Sequence, residues 1–161
     1  MEIGGGIMRL KSLLLLICFL CLNISICLAA KVFSADQAAI GGISVGSSTE
    51  YIKGIYGEPN SIRVDENSQN ANTQTWYYGD TFHIDFINGL ASCVVTSGNN
   101  GLSTPAGVTV GMKKKAITSN YGSPKTTDKY GNRAIYTYQA ADGTGIVFVI
   151  RDGIISEIRV K

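Results

Sequence analysis

Cysteine and histidine are scarce in this chain. Beyond residue 30 it has one cysteine, Cys93, and one histidine, His83. A lone cysteine cannot form an intramolecular disulfide, which excludes the disulfide framework of many small secreted domains. One histidine and one cysteine are also too few soft ligands for a zinc site within one chain. We therefore expect packing or association to stabilise the fold, and we expect no metal and no cofactor.

The chain also has no large net charge, since its formal net charge is +2. Without a basic stripe on the chain, we predict no binding to nucleic acid. The charge is nevertheless divided along the sequence. Residues 36–100 contain two cations and seven acids, a net charge of −5, and residues 101–161 contain nine cations and four acids, a net charge of +5. Such halves either attract each other or steer a partner toward the basic half.

Long apolar runs are absent except near the N-terminus. Arg9 and Lys11 precede the apolar segment Leu13–Leu22, and small residues follow at Ala29 and Ala30. This order is typical of a signal peptide. We predict that residues 1–30 direct export to the periplasm, the cell envelope or the extracellular space, with cleavage near Ala29/Ala30.

Two alternatives to cleavage stay open. The first is an uncleaved membrane anchor, although residues 13–30 are barely long enough to span a bilayer. The second is a lipoprotein, although none of Cys18, Cys21 and Cys27 follows the usual pair of small residues. We expect contact with a membrane only through this segment, if it is retained.

The sequence does contain a segment that occurs twice. Residues 42–59 align with residues 107–124, and seven of the eighteen paired positions are identical. The identical pairs are Gly42/Gly107, Val45/Val110, Gly46/Gly111, Ile52/Ile117, Tyr56/Tyr121, Gly57/Gly122 and Pro59/Pro124. Self-similarity of this kind is typical of a structural unit built twice. We predict repeat 1 over 31–97, a linker over 98–106 and repeat 2 over 107–161, with the repeats packing as one domain.

Local signals predict the secondary structure of each repeat. In repeat 1, Ser47 and Glu50 have the spacing of a capping box, and Gly57 is a typical helix stop. Short strands follow, with two-residue hairpin turns at Asn88-Gly89 and Asp152-Gly153. We therefore predict an α+β fold of two tandem repeats, each a short helix followed by a three- to four-stranded antiparallel meander. The helices are expected on one side of a curved sheet.

The pattern Val-Gly-(x)5-Ile-(x)3-Tyr-Gly-x-Pro, followed by Trp76-Tyr77-Tyr78 and a hairpin at Asn-Gly or Asp-Gly, resembles the SmpA/OmlA (BamE) family of exported bacterial proteins. Its wider relatives include tandem-repeat β-lactamase inhibitor proteins and tandem modules beside some secreted CAP domains. The resemblance implies non-enzymatic protein binding in the cell envelope or outside the cell. The chain lacks the lipobox cysteine of the assembly lipoproteins and the paired cysteines of the inhibitors, so neither specific role is carried over.

Side-chain alternation predicts one sheet face that is too apolar to be simply solvated. We expect Leu90 to face the helices, and Ala91 and Cys93 to lie on the opposite face. An aromatic face with a charged border is typical of a protein interface, and the alternative is that the linker or the lead segment covers it. The predicted contact residues are Trp76, Tyr77, His83, Tyr136, Tyr138, Lys113, Lys114 and Lys115.

The predicted function is an exported, non-enzymatic protein-binding module whose partner is a protein or a cell-wall component; the oligomeric state stays open. One alternative is a proteinaceous inhibitor of a secreted or cell-wall hydrolase. A second is an enzyme that depends on Cys93 with His83 and Asp85. Because no glycine-framed nucleophile loop surrounds Cys93, we favour a partly buried structural cysteine and predict no catalytic residues.

Overall fold

The computed structural model describes residues 31–65 and 72–161. The predicted signal peptide, with its three cysteines and its cleavage position near Ala29/Ala30, lies outside the described residues, as does the part of the predicted polar loop at 66–71. No helix in the two described ranges is both long enough and apolar enough to cross a membrane. Lys31–Lys161 forms one compact unit.

Eight antiparallel strands form a single sheet. In chain order they are β1 (Ser61–Val64), β2 (Thr73–Tyr77), β3 (Phe82–Ile87), β4 (Leu90–Thr96), β5 (Thr126–Tyr130), β6 (Arg133–Gln139), β7 (Gly145–Arg151) and β8 (Ile154–Val160). Their order across the sheet is β1-β2-β3-β4-β8-β7-β6-β5. Helix α1 spans Thr49–Tyr56, helix α2 spans Lys115–Tyr121, and a single 3-10 turn spans Ala35–Gln37.

The predicted α+β fold class, two repeats of helix plus meander with the helices on one side of a curved sheet, is wrong. β4 pairs with β8 over Val94–Thr96 and Ile158–Val160, so all eight strands belong to one mainly β sheet. The helices have only eight and seven residues. An eight-residue helix is about 12 Å long, whereas eight strands span roughly 34 Å. Two such helices cannot form a layer over the sheet, and the described fold is mainly β.

The core lies against one face of the sheet. Phe82, Ile84 and Phe86 alternate with more exposed residues in β3, as the two-residue period of a strand requires. Ile52 of α1 and Ile117 of α2 belong to the same buried cluster. The first helix contributes Ile52 to this cluster and the second contributes Ile117 and Tyr121, and helices this short depend on such burial because they are not stable alone.

The lead segment before α1 and the linker before α2 also lie on the core face. Ile40 and Ile43 of the lead are completely buried in the core cluster, and Leu102 of the linker packs against it. The two segments are joined by the Gly41 amide, which donates a 2.9 Å hydrogen bond to the Ser103 carbonyl oxygen. The expected alternative, in which one of them covers the opposite face, is therefore wrong.

Two register shifts change which residues face the core. In the first, Ser92 is an extra residue on β4 opposite the Asp85–Phe86 step of β3. In the second, Ser156 is an extra residue on β8 opposite the Val149–Ile150 step of β7. Because a bulge sets two residues against one, alternation changes phase beyond it. Ala91 is only 2% exposed, whereas Leu90 is 50% exposed. The prediction that Leu90 faces the core and Ala91 the opposite side is thus wrong.

Candidate binding surface

The sheet surface opposite the core is called the outer face. A row of cross-strand neighbours crosses its middle, and neighbours in register project on the same side of a sheet. The row consists of Tyr77, His83, Val95, Arg159, Val147 and Thr137. Asp85 and Cys93 form a neighbouring pair on this face, as do Val149 and Glu157.

The outer face carries apolar and aromatic side chains outside the core. Val95 and Val149 are 3% and 5% exposed, although neither belongs to the core cluster. Tyr77 and His83 are half-buried, and their ring centroids are 5.7 Å apart. Together with Val95, the cross-strand neighbour of His83, they form a small aromatic and apolar patch. Val147 is also half-buried, but Arg159 lies between it and Val95 in the row.

Charged side chains border this patch in defined positions. Arg159 Nη2 donates a 2.7 Å hydrogen bond to Glu157 Oε1, which is also an ion pair. Thr75 Oγ1 donates a 2.8 Å hydrogen bond to Asp85 Oδ1. An apolar centre with a polar border is the usual anatomy of a protein interface.

A polar groove of about 310 Å³ extends the outer face toward the edge strand β1. Arg63, Asp65, Thr75 and Asp85 are among the residues that line it. Thr73 also lines the groove, and its Oγ1 is buried without a hydrogen-bond partner among the described residues. The groove therefore offers charges of both signs and one unused hydroxyl at the border of the apolar patch.

Cys93 lies on the outer face beside Asp85 but is poorly suited to nucleophilic chemistry. Burial and, secondarily, the negative charge of Asp85 raise the pKa of the Cys93 thiol to about 11. A thiol with this pKa is almost fully protonated near neutral pH, whereas the nucleophile is the thiolate. His83 is in register with Val95 and not with Cys93. In the described part of the chain, no three His, Cys, Asp or Glu side chains are grouped to hold a metal.

The structure places three of the five predicted aromatic contacts toward the core. Trp76 is 4% exposed, and its ring centroid is 4.6 Å from that of Phe86. Tyr138 is 2% exposed, and Tyr136 packs against the core. The reason is register, because Trp76 pairs with the core-facing Ile84 and cross-strand partners share a face. Tyr77 and His83 are the two predicted ring-bearing residues on the outer face.

The predicted lysine cluster is exposed, and the structure brings part of it to a cleft. Helix α2 begins at Lys115, and the Lys114 amide donates a 2.9 Å hydrogen bond to the Gly153 carbonyl oxygen in the β7–β8 turn. This contact sets Lys114 at the mouth of a cavity of about 230 Å³, called the basic cleft. Lys129, Arg133 and Tyr136 also line it.

The basic cleft combines predicted and unpredicted residues. Lys114 and Tyr136 were predicted as separate contacts, on the helix and on the sheet, and they meet here. Lys129 and Arg133 were not singled out from the sequence. The excess of positive charge over residues 101–161 pointed to this half of the chain, but only the fold shows which residues line the cleft.

Comparisons with known proteins indicate the fold alone. Neither a protein-family model nor a curated protein matches the sequence. An extracellular protein containing an SCP domain from Bacillus anthracis str. Ames is 12% identical with a TM-score of 0.50, and the match covers 72% of this chain and 43% of that protein. The chain thus spans less than half the length of that protein. A DUF4309 family protein (YjgB) from Bacillus subtilis subsp. subtilis str. 168 is 15% identical with a TM-score of 0.41, covering 71% of this chain and 78% of that one.

Proposed function

We propose that the protein is an exported, non-enzymatic binding module that recognises another protein through the outer face. The observation that carries this proposal is the patch of half-buried Tyr77 and His83 with buried Val95 on a sheet face that neither the lead segment nor the linker covers. An apolar patch of this kind loses water when a partner docks, and docking is then favourable. The Glu157–Arg159 ion pair at its border supplies polar complementarity.

Export is part of the proposal. Two observations support it: the signal-peptide pattern of residues 1–30, and the fold shared with a protein described as extracellular. The test is to fractionate cells and medium and to sequence the N-terminus of the protein recovered. We expect a first residue close to Lys31 in material from outside the cytoplasm. Intact N-termini confined to the cytoplasm would overturn the export part.

A non-enzymatic role is supported by the protonated state of Cys93. A pKa of about 11 leaves little thiolate for attack, and His83 is not its cross-strand neighbour. Two assays test this part, one for catalytic activity and one for inhibition. In the first, the purified protein should turn over no substrate of cell-wall hydrolases. If it instead lowers their activity on titration, the partner is a hydrolase and binding is inhibitory.

The binding surface is tested with a double variant, Tyr77→Ala with His83→Ala. Both side chains are half-buried on the outer face and outside the core cluster, so a folded variant is expected. The control is Tyr51→Ala, because Tyr51 is 52% exposed on α1. Partners captured from secreted and cell-wall fractions with the wild-type chain are purified and titrated calorimetrically against all three proteins.

We expect the outer-face variant to bind at least about thirtyfold more weakly and the control to bind like wild type, since the loss of a single central hot spot costs about 2 kcal/mol. Thermal melts establish that all three proteins are folded. Equal affinity of the three proteins would refute the outer face as the interface.

A further inference from the structure

We infer that copies of this chain associate head to tail, with the edge strand β1 of one copy pairing antiparallel to the edge strand β5 of the next. The inference goes beyond the proposed function, because it concerns the two edges of the sheet and not the patch on the outer face. The occupant of each edge is a second copy of the chain. The two proposals can therefore fail separately.

The sheet has an open edge at each end. The strand order places β1 at one end and β5 at the other, and within residues 31–65 and 72–161 each pairs with a single strand, β1 with β2 and β5 with β6. Every residue of both strands is exposed. An edge strand has unpaired N–H and C=O groups that can bond to another strand. Each end of the sheet can therefore accept one.

On β1, the unpaired backbone groups belong to Ile62 and Val64. The Asp65 amide, just after the strand, donates a 3.1 Å hydrogen bond to the Thr73 carbonyl oxygen of β2. Along an antiparallel strand, residues that bond to one neighbour alternate with residues whose N–H and C=O groups point the other way. Because Ile62 and Val64 lie an odd number of positions from Asp65, their backbone groups point to the open edge.

On β5, the unpaired backbone groups belong to Thr127 and Lys129. Tyr130 and Arg133 close the β5–β6 hairpin around a loop of two residues, and the closing pair of such a hairpin is hydrogen-bonded. Bonding to β6 then recurs at every second residue back along β5. The backbone groups of Thr127 and Lys129 therefore point away from β6 and toward the open edge.

The strand directions and the sheet faces match at a head-to-tail junction. Every neighbouring pair in the sheet is antiparallel, so the first and last of the eight strands, β1 and β5, run in opposite directions. A second copy placed beside the first in the same orientation therefore sets its β5 antiparallel to β1. Its core face also lies on the same side. The sheet is extended without reversing a strand or exchanging a face.

One register brings all of these backbone groups together. Ile62 then lies opposite Lys129 of the second copy, and Val64 lies opposite Thr127. Each such pair exchanges two hydrogen bonds, so the junction gains about four backbone hydrogen bonds. Ile62 and Val64 are 49% and 54% exposed on the core side of the sheet, and the aliphatic part of the Lys129 side chain can cover the first of them.

The same register sets Arg63 opposite Asp128 on the outer face. Arg63 shares that face with its cross-strand neighbour Thr75, and Asp128 shares it with Ile135. Both charged side chains are exposed, and neither makes an ion pair with a residue of the described ranges. Opposite charges directly across from each other stabilise a strand pair. Each copy therefore has at one edge the charge that complements its other edge.

Charge also disfavours the two symmetric alternatives. If β1 pairs with β1 so that Ile62 lies opposite Val64, Arg63 lies opposite Arg63 of the other copy. The corresponding pairing of β5 with β5 sets Asp128 opposite Asp128, and like charges in such positions destabilise a strand pair. The whole chain has the same preference, because β1 belongs to the half with net charge −5 and β5 to the half with net charge +5. Head-to-tail contacts of this kind add copies in a row.

The test blocks one edge at a time. Val64→Pro removes an outward N–H group from β1 and Thr127→Pro removes one from β5, and an edge strand tolerates proline where its N–H points to solvent. Each protein comprises Lys31–Lys161, which forms one compact unit, so that the apolar segment before it cannot cause association. Circular dichroism checks folding. Sedimentation velocity measures mass from about 10 μM to about 1 mM, because a junction of so few residues is expected to be weak.

We expect the wild-type chain to form dimers and longer rows as its concentration rises, and each proline variant alone to associate at least about tenfold more weakly. An equimolar mixture of the two variants should form dimers and nothing longer, because each pair retains one open β1 and one open β5. A wild-type chain or a mixture that stays monomeric would overturn the inference. A proline variant that associates like wild type would also overturn it, since that association would use one kind of edge alone.

A charge exchange tests the register and does not depend on tolerance of proline. Arg63→Glu and Asp128→Lys each place like charges at the junction and should weaken self-association about fivefold. In their equimolar mixture every junction between unlike copies is attractive again, so association should return to nearly the wild-type level. Wild-type association of either variant alone would overturn the pairing of Arg63 with Asp128. A chain that captures partners through its outer face but does not self-associate would overturn this inference and leave the proposed function intact.

Discussion

The hydroxyl of Tyr138 donates a 2.8 Å hydrogen bond to the carbonyl oxygen of Gly122, the residue that ends helix α2. Burial raises the pKa of Tyr138 to about 12. Tyr78 makes the corresponding contact with Gly57 at the end of α1, but its bond is longer, 3.2 Å, and more exposed. In both halves a tyrosine of the sheet therefore fixes the C-terminal end of a short helix.

Tyr138→Phe should lower the free energy of unfolding by about 1–2 kcal/mol, because it leaves a helix-end carbonyl without its donor in a buried setting. Tyr78→Phe should cost less, about 0.5 kcal/mol, since water can replace the lost donor. Urea denaturation followed by circular dichroism gives both values. An equal cost for the two variants would contradict the difference in burial.

Gly41 occupies a position that a side chain cannot fill. Its φ is +56°, and an added Cβ would collide with Tyr56 Oη, which donates a 2.7 Å hydrogen bond to the Gly41 carbonyl oxygen. Gly46 also has a positive φ, +85°, but an added Cβ there meets nothing within 4 Å. Gly41→Ala should therefore destabilise the protein by about 2–3 kcal/mol, and Gly46→Ala by about 1 kcal/mol from backbone strain alone. Thermal or urea unfolding of the pair measures the difference, and equal costs would show that Tyr56 moves away freely.

Local signals in the sequence were enough for the ends of the helices and for the turns. Gly57 and Gly122 end the two helices with φ of +75° and +77°, as predicted for Gly57 and as its repeat partner Gly122 implies. Asn88 and Asp152 have the positive φ predicted for their hairpin turns. The N-cap of the first helix is Ser48, one residue after the predicted Ser47. The Ser48 hydroxyl oxygen, and not that of Ser47, accepts a hydrogen bond from the Tyr51 amide. These features depend on neighbours within a few residues.

Non-local features could not be predicted in this way. The pairing of β4 with β8 joins Val94 to Val160, which are 66 positions apart, and nothing in either strand alone specifies the other. The bulge at Ser92 of β4 inverts the burial of Leu90 and Ala91, and no residue pattern marks it. The basic cleft likewise depends on the contact of the Lys114 amide with Gly153 in the β7–β8 turn. Charge composition indicated a basic half, but only the fold shows which residues line the cleft.

A comparison of Trp76 with its neighbour Tyr77 tests most directly which side chains of β2 face the core. Trp76 is 4% exposed, its indole Nε1 donates a 3.0 Å hydrogen bond to Gln74 Oε1, and Lys53 Nζ lies 5.3 Å from the ring centroid. Trp76→Ala should lower the free energy of unfolding by about 3–5 kcal/mol, as for other large core deletions. Tyr77→Ala, at the next position but on the outer face, should cost less than about 1.5 kcal/mol. A comparable cost for both would place Tyr77 in the core and remove it from the proposed interface.

The only tryptophan in the chain also gives an optical test of this placement. We expect blue-shifted emission that iodide quenches poorly in the folded protein, and a red shift on unfolding, because the ring is enclosed by Phe86 and its neighbours. A partner bound to the outer face should leave this emission nearly unchanged. Strong quenching of the folded protein by iodide would contradict burial.

The raised pKa of the Cys93 thiol predicts that the stability of the fold depends on pH in the alkaline range. Burial, followed by the charge of Asp85, raises the pKa of this thiol from 9.0 to about 11 in the fold. The unfolded chain loses this proton near pH 9, whereas the folded chain keeps it until about pH 11, so the folded state holds the additional proton between these values. The free energy of unfolding should therefore fall as pH rises from 9 to 11. Cys93→Ser removes this contribution, while the tyrosines that titrate at high pH remain in both proteins.

The pH at which Cys93 reacts with iodoacetamide tests the same property without unfolding the protein. Since only the thiolate reacts, the rate follows the deprotonated fraction, and peptide mass spectrometry separates Cys93 from the three N-terminal cysteines. In the folded protein the rate should be far below its maximum at about pH 10, whereas in urea it should be half-maximal close to pH 9 and nearly level by about pH 10. The comparison uses the shape of each profile and not its absolute height, because burial slows access of the reagent at every pH. Profiles with the same midpoint would mean that the outer face leaves the thiol as acidic as in the unfolded chain, and would reopen a nucleophilic role for Cys93.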